Sequence, residues 1–142
     1  MATQYKMSDF HKVADQKMAP PPCDDTMQIT VLESYDGVAR GTWHVDHRYI
    51  NGIGVAMGGF SSAAADIMMA YAIASKLTDQ YGFASIDLDT TFHRPILEGD
   101  VDITAKVERL GKTLAYVVTE LTQNNKKAAT CVSSILIKNL EQ

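Results

Sequence analysis

The order of elements along the chain predicts an α+β domain, a curved antiparallel sheet of about six strands wrapped round one long central helix. Three observations predict it. A hairpin pattern comes first, with Asp36-Gly37 at its turn. A single long helical pattern follows, from Gly58 to about Leu77, and it is apolar on nearly every side. Four strand patterns close the chain, the last three separated by short turns. A helix apolar nearly all round must be covered on most sides. A twisted sheet curling round it provides that cover. One sheet face stays bare in such a domain, and oligomerisation can cover it.

Residues 1–26 read as an N-terminal extension. Ser8 can cap a short helix through Asp15, with Phe10 and Val13 as its apolar contacts. The run "APPPCDD" then acts as a Pro-rich linker that stops helix or strand, so ordered structure is expected from about Met27 and the domain proper over 27–142. In the hairpin, Met27, Ile29 and Val31 alternate with Gln28 and Thr30, and Ala39, Trp43 and Val45 share one face of the return strand. "DHRYINGIGVAMGG" (46–59) is a glycine-rich loop. In the helix, Phe60, Ala63, Ala64, Ile67, Ala70, Tyr71 and Ala74 make one face, while Ser62, Asp66, Met69 and Ile73 make the other. "FASIDLDTTF" (83–92) predicts one strand, with Ala84, Ile86, Leu88, Thr90 and Phe92 opposite Ser85, Asp87, Asp89 and Thr91. Val101, Ile103, Ala105 and Val107 line one side of the next strand. "TLAYVVTELT" and "KAATCVSSILI" are rich in β-branched residues. "RLGKT" and "QNNKK" are short turns, so these last three strands should form an antiparallel meander.

Bulk properties narrow the function. The chain has 142 residues, 46% hydrophobic and 21% charged, with a net charge of -4. That is a globular composition for one domain. The negative balance argues against global attraction to nucleic acid or to an anionic membrane. Cys23 and Cys131 lie far apart and suggest no disulfide framework, which fits a reducing cytoplasm. The first residues carry no apolar signal core. The uninterrupted apolar run Phe60–Ser75 is shorter than the ~20 residues a membrane span needs, and Asp66 sits in its middle.

Asp66 is the only formally charged residue between Arg48 and Lys76. A carboxylate in apolar surroundings has a raised pKa and makes a better base; it can equally be paired with Ser62 one turn back, or with an arginine elsewhere. Gly58-Gly59 opens the helix, where unpaired N–H groups and the positive dipole end suit an oxyanion. The same pair can be a plain loop-to-helix junction. Asn51 alone reads as a turn former, and Ser85 is equally weak alone. His44 and His47 are three apart on a strand end, which points them to opposite faces and argues against a metal. Asp87 and Asp89 read as a solvated sheet face.

The stretch "HVDHRYINGIGVAMGGFSSAAADIMMAYA" (44–72) resembles the core signature of hotdog-fold acyl-CoA thioesterases of the phenylacetic-acid-degradation type. That signature runs from Asn, six residues on, to His-Gly-Gly, then nine residues from the His to an acid inside the helix. Asn51, Met57-Gly58-Gly59 and Asp66 keep every spacing. "SIDLDTTFHRPILEGDVDITAKVERLGKTLAYV" (85–117) is similar to the family as well, and the resemblance covers about Met27 to Lys138. It implies hydrolysis of acyl-CoA to free acid and CoA, with no cofactor other than the CoA of the substrate. The Gly58 N–H would polarise the thioester carbonyl. Asp66 of the facing protomer would act as general base or nucleophile. Asn51 would position water or the carbonyl, and Ser85 matches a position that holds the water in some relatives. Met57, Gly59, Arg94 and Lys112 would meet the substrate and its CoA. The minimal unit would be a homodimer, commonly doubled to a homotetramer.

The departure is Met57, where the family usually has His. Methionine cannot donate a hydrogen bond, although the Gly58 N–H survives the change. Two other readings follow: a hotdog domain that binds acyl-CoA without turnover, which Met57 favours, and a 3-hydroxyacyl thioester dehydratase, which lacks the helix histidine that chemistry needs. Acyl-pocket depth depends on Met69, Ile73, Phe83 and residues 1–26.

Overall fold

Residues 29–45 fold into the expected hairpin, whose turn residues Asp36 and Gly37 take φ of 48° and 81°. Positive φ at both positions is what a two-residue turn between twisted strands requires. The computed structural model describes residues 4–141. Its elements are α1 (Met7–Ala14), α2 (Pro22–Met27), β1 (Ile29–Tyr35), β2 (Val38–Val45), a short 3-10 turn (His47–Tyr49) and α3 (Gly58–Ala74). Then come β3 (Tyr81–Ser85), β4 (Asp89–Phe92), β5 (Gly99–Leu110), β6 (Leu114–Gln123) and β7 (Lys126–Asn139). The sheet is antiparallel in the order β1-β2-β5-β6-β7-β3, with β4 also beside β7. β3 and β4 are two halves of one interrupted strand, so the sheet has six strand positions. It curls round α3 as expected.

Helix α3 lies across β2, β5 and β6. Ala64, Ala65, Met68 and Ala72 on its inner side are fully buried. Close approach depends on Gly41 of β2: a Cβ there would lie 2.9 Å from Met68 Sδ and 2.7 Å from the Thr30 carbonyl oxygen, so no other residue fits. Trp43, Ile103, Val117, Leu121 and Ile135 complete the core from the sheet side.

Two stretches depart from expectation. The proline run does not end ordered structure; it starts a helix. Proline lacks the N–H that the first turn leaves unpaired anyway, and Pro22 opens α2, which closes at Gln28 with φ 56°. The described part of the extension packs on the domain, with Val13, Ala14 and Asp24 buried. Ser8 is not the cap of α1. Lys6 occupies that position, its N–H donating to Asp9 Oδ2 at 2.8 Å, while Ser8 donates to Asp79 through both its N–H and its hydroxyl.

The second stretch, residues 83–92, does not form one continuous strand. Ser85 pairs with Ile135, but Asp89 pairs with Val132. One extra residue is therefore inserted on this side, a bulge at 86–88. Ser133 donates through its hydroxyl to the Asp87 carbonyl, and the Ser134 N–H donates to the Asp87 carboxylate, both at 2.7 Å. Asp87 thus builds the bulge rather than lying on a solvated strand face with Asp89. The bulge reverses the alternation. Phe83 and Ser85 pair with Ile137 and Ile135, Thr90 and Phe92 with Cys131 and Ala129, and all four partners are buried. Phe83, Ser85, Thr90 and Phe92 consequently share the side that faces α3. Among the described residues, no helix is long and apolar enough to cross a membrane.

Candidate active site

The loop before α3 is held at several points. Arg48 and Asp46 form an ion pair at 2.8 Å, and hydrogen bonds from Arg48 hold the Asp46 carboxyl well below the usual range. The Tyr49 ring sits edge-on to Trp43 and Phe60, at 5.5 and 5.1 Å between centroids, and its hydroxyl donates to the Thr26 carbonyl. Asn51 Oδ1 accepts from the N–H groups of Ile53 and Val55 at 3.0 and 3.3 Å. Asn51 is thus a turn former, with its carbonyl oxygen committed and its NH₂ left for the cleft. The Met57 carbonyl takes the N–H groups of Phe60 and Ser61. The first-turn N–H groups of Gly58 and Gly59 have no acceptor within the helix.

A cleft of about 380 Å³ opens at this helix start, lined by Asn51, Gly58, Ser61, Phe92, His93 and Arg94 among others. The Phe92 ring rests on Gly58, where a Cβ would come within 2.7 Å of its Cζ. Any oxygen held at the Gly58 N–H would therefore lie beside an apolar ring, where a hydrogen bond is less screened than in water.

Asp66 lies eight residues further along α3. Gly59, Ser62, Ala63, Asp66 and Ala70 follow each other at helical spacing and make a stripe of short side chains that the single chain leaves at least partly open. The outer face of Asp66 is accessible. Its inner side is crowded enough that lost hydration raises the carboxyl above its ordinary value, with a hydrogen bond from Ser85 pulling the other way. Ser62 does not pair with it. The Ser62 and Thr90 hydroxyls lie 2.7 Å apart, and Thr90 donates in turn to Cys131 Sγ at 3.2 Å. Among the described residues, no basic side chain forms a salt bridge with Asp66.

The structure thus makes two groupings from the candidate residues. Asn51, Gly58 and Arg94 share the cleft, while Met57 and Gly59 sit at the helix start, the Met57 methyl 3.2 Å from where a Gly59 Cβ would be. Asp66 and Ser85 form the second grouping, two helical turns away. Lys112 joins neither; it sits exposed in the turn between β5 and β6. His44 Nδ1 pairs with Asp100 across the sheet at 2.8 Å, and no group of metal-ligating residues occurs among the described residues. Phe92, Thr90 and Ser61 escape sequence reading. Each looks like ordinary strand or helix filling, and only the bulge turns Thr90 and Phe92 toward α3.

Several solved structures share this fold. A phenylacetic acid degradation-related protein of Ralstonia eutropha superposes with a TM-score of 0.83 at 24% identity, over 89% of this chain and 98% of that one. A thioesterase from Haemophilus influenzae gives 0.80 at 20% identity, over 99% and 95%. The Escherichia coli PaaI protein from the phenylacetic acid degradation operon gives 0.76 at 23%, over 92% and 94%. At these identities the likeness is one of fold, the hotdog fold. A Caenorhabditis elegans protein named "Putative esterase F42H10.6" is 34% identical over 73 residues. That match takes in 51% of this chain and 43% of the relative, so the chain spans less than half of that protein's length. The thioesterase superfamily model matches residues 53–129, more than half of the chain, from the loop before Gly58 through Asp66 to the start of β7. The chain belongs to the thioesterase superfamily.

Proposed function

We propose that the protein hydrolyses acyl-CoA thioesters at a site shared by two copies of the chain. The observation that carries this reading is the separation of two complementary groups on one helix. Gly58 and Asp66 are eight residues apart, about 12 Å at ~1.5 Å per residue, too far to serve one carbonyl from the same chain. Two α3 helices packed antiparallel through their stripes of small residues would bring each Asp66 to the other's Gly58, as a two-fold interface does. Ile86, Leu88 and Phe92 are exposed along the neighbouring sheet edge and give a second copy apolar surface to cover.

In that dimer the thioester carbonyl oxygen accepts from the Gly58 N–H at the positive end of α3. Asp66 of the partner subunit takes a proton from water as the water oxygen bonds the carbonyl carbon. The carbon–sulfur bond then breaks and the proton passes to the departing thiolate, giving the free acid and CoA. Attack by the carboxylate itself, with water opening the resulting anhydride, gives the same products. Ser85 orients the carboxylate and the water, and the Asn51 NH₂ reaches the carbonyl. Met57, Gly59, Arg94 and Lys112 are the proposed contacts to the substrate and its CoA. The chemistry needs no cofactor beyond that CoA. The assembly is a homodimer, doubled to a homotetramer, in the cytoplasm.

Thiol release from a panel of acyl-CoAs, run on the wild type and on Asp66→Asn, tests the reading. Release by the wild type and its loss in the variant are expected; an undiminished rate in Asp66→Asn overturns it. Met57 favours one second reading. Its side chain is 44% exposed at the helix start and donates no hydrogen bond, which suits a protein that binds acyl-CoA without turnover. Tight CoA binding with no thiol released across the whole panel would select that reading.

A further inference from the structure

We propose that the N-terminal segment, through Tyr5 and Phe10, forms the end wall of the acyl pocket and thereby selects acyl groups with a compact apolar end. The proposal rests on the thioesterase reading and names the substrate end of the same site. From Ser85, β3 leads back toward the N-terminal segment. Phe83 shares the helix-facing side with Ser85 and stands about 7 Å from it, two residues at ~3.4 Å each. On α3, Ala70 lies one turn beyond Asp66 on the same stripe and contributes only a methyl group. On this reading an acyl chain leaving a carbonyl held at Asp66 and Ser85 runs between Ala70 and Phe83, both only half-buried.

That path ends at an aromatic cluster. The Phe10 ring lies 6.3 Å from Phe83, 5.2 Å from Tyr71 and 5.9 Å from Tyr5. The segment carrying it is tied down: the Tyr5 hydroxyl donates to the Ala19 carbonyl at 2.6 Å, and Ser8 is bound to Asp79. Dense aromatic packing alone would fill the space, yet a hollow of about 500 Å³ remains among Tyr5, Phe10, Tyr81, Phe83 and Leu140. That volume lies in the range of small-molecule sites. Lys6, Asp79 and Lys138 are the charged groups around it, with Asp79 already bonded to Ser8. The short distance from Ser85 excludes the CoA nucleotide as occupant, since the pantetheine arm is far longer. The acyl group is what reaches it.

The test is a ladder of acetyl-, hexanoyl-, decanoyl- and palmitoyl-CoA, with kcat/KM measured for the wild type, Tyr5→Ala, Phe10→Ala and Phe10→Leu. Binding of the matching unreactive thioether analogues is measured beside it. Opening the wall should raise the ratio of decanoyl- to hexanoyl-CoA by at least about tenfold, a discrimination of the order that one or two methylenes carry in an apolar pocket. The analogue affinities should shift the same way. A ladder that keeps its shape in every folded variant, with all members rising or falling together, overturns the proposal. Should Phe10→Ala fail to fold, Tyr5→Ala and Phe10→Leu carry the decision. The analogue affinities report on the wall even if Asp66→Asn retains hydrolysis, so the two readings can fail separately.

Discussion

Asp24 and Asp66 both hold their carboxyls above the ordinary range, and loss of hydration is the main cause in each. Their surroundings differ. Asp24 is 1% exposed, accepts a hydrogen bond from the Tyr71 hydroxyl, and takes a long contact from the Cys23 thiol at 3.5 Å. It joins α2 to the middle of α3 and is sealed. Asp66 shares α3 with Tyr71, five residues before it, but keeps an open outer face, with the Ser85 hydroxyl near enough to lower its pKa. Both groups are penalised for ionising, yet only one can be reached. A raised pKa therefore does not by itself mark a reactive carboxylate; access decides.

The sharpest break in this comparison comes from replacing each acid by its amide. Asp66→Asn should lower thiol release by about 10²–10⁴-fold, the usual share of a general base, and leave the melting temperature nearly unchanged. An equal loss of rate in Asp24→Asn would erase the distinction. The next largest effect is on stability. Asp24→Ala strands the buried Tyr71 hydroxyl without its acceptor, and denaturant titration should show a loss of about 1–3 kcal/mol. Asp24→Asn keeps an acceptor and should cost less.

A third test uses pH. The folded-state pKa of Asp24 is raised, so the unfolded chain ionises first as pH climbs past the ordinary carboxyl value of about 3.9. The stabilising share of Asp24 is full below that value and is lost as pH rises through the raised folded pKa. Melting temperatures of Asp24→Asn should therefore gain on the wild type between about pH 4 and neutrality; a constant gap over that interval would count against a neutral buried acid. The smallest effect is expected at Ser85. Its hydrogen bond lowers the Asp66 pKa, so Ser85→Ala should move the rising limb of the pH–rate profile upward. The rate below the inflection should fall with that move. A downward move would mean that Ser85 acts on something other than the ionised carboxylate.

Much of the fold is legible in the sequence because its signals are local. Asp36-Gly37 forces a tight turn, the alternation at Val101, Ile103 and Ala105 marks one buried face, and the apolar run from Phe60 to Ala74 can only be a covered helix. Asn51 and Gly58 meet in one cleft because seven residues of tethered loop leave them little choice. What escapes is non-local. Hydrophobic alternation from Ala84 to Phe92 looks unbroken, since an inserted residue on one strand shows only against its partner, β7. The α2 helix escapes because three prolines read as a stop, while only the last of them stands where a helix accepts proline. The burial of Asp24 depends on Tyr71, 47 residues away, and nothing near either residue announces it.

The extra residue at 86–88 gives the length of this stretch more weight than its composition. Pairing the same residues from Ser85 onward without the bulge would carry Asp89 and Thr91 round to the helix and send Thr90 and Phe92 out to solvent. The Gly58 amide would then face charge and hydroxyl in place of a ring. Substituting Ile86 or Leu88 leaves both that count and the Asp87 anchor intact, so the edge can vary in letters at these two places while its spacing holds the chemistry in frame.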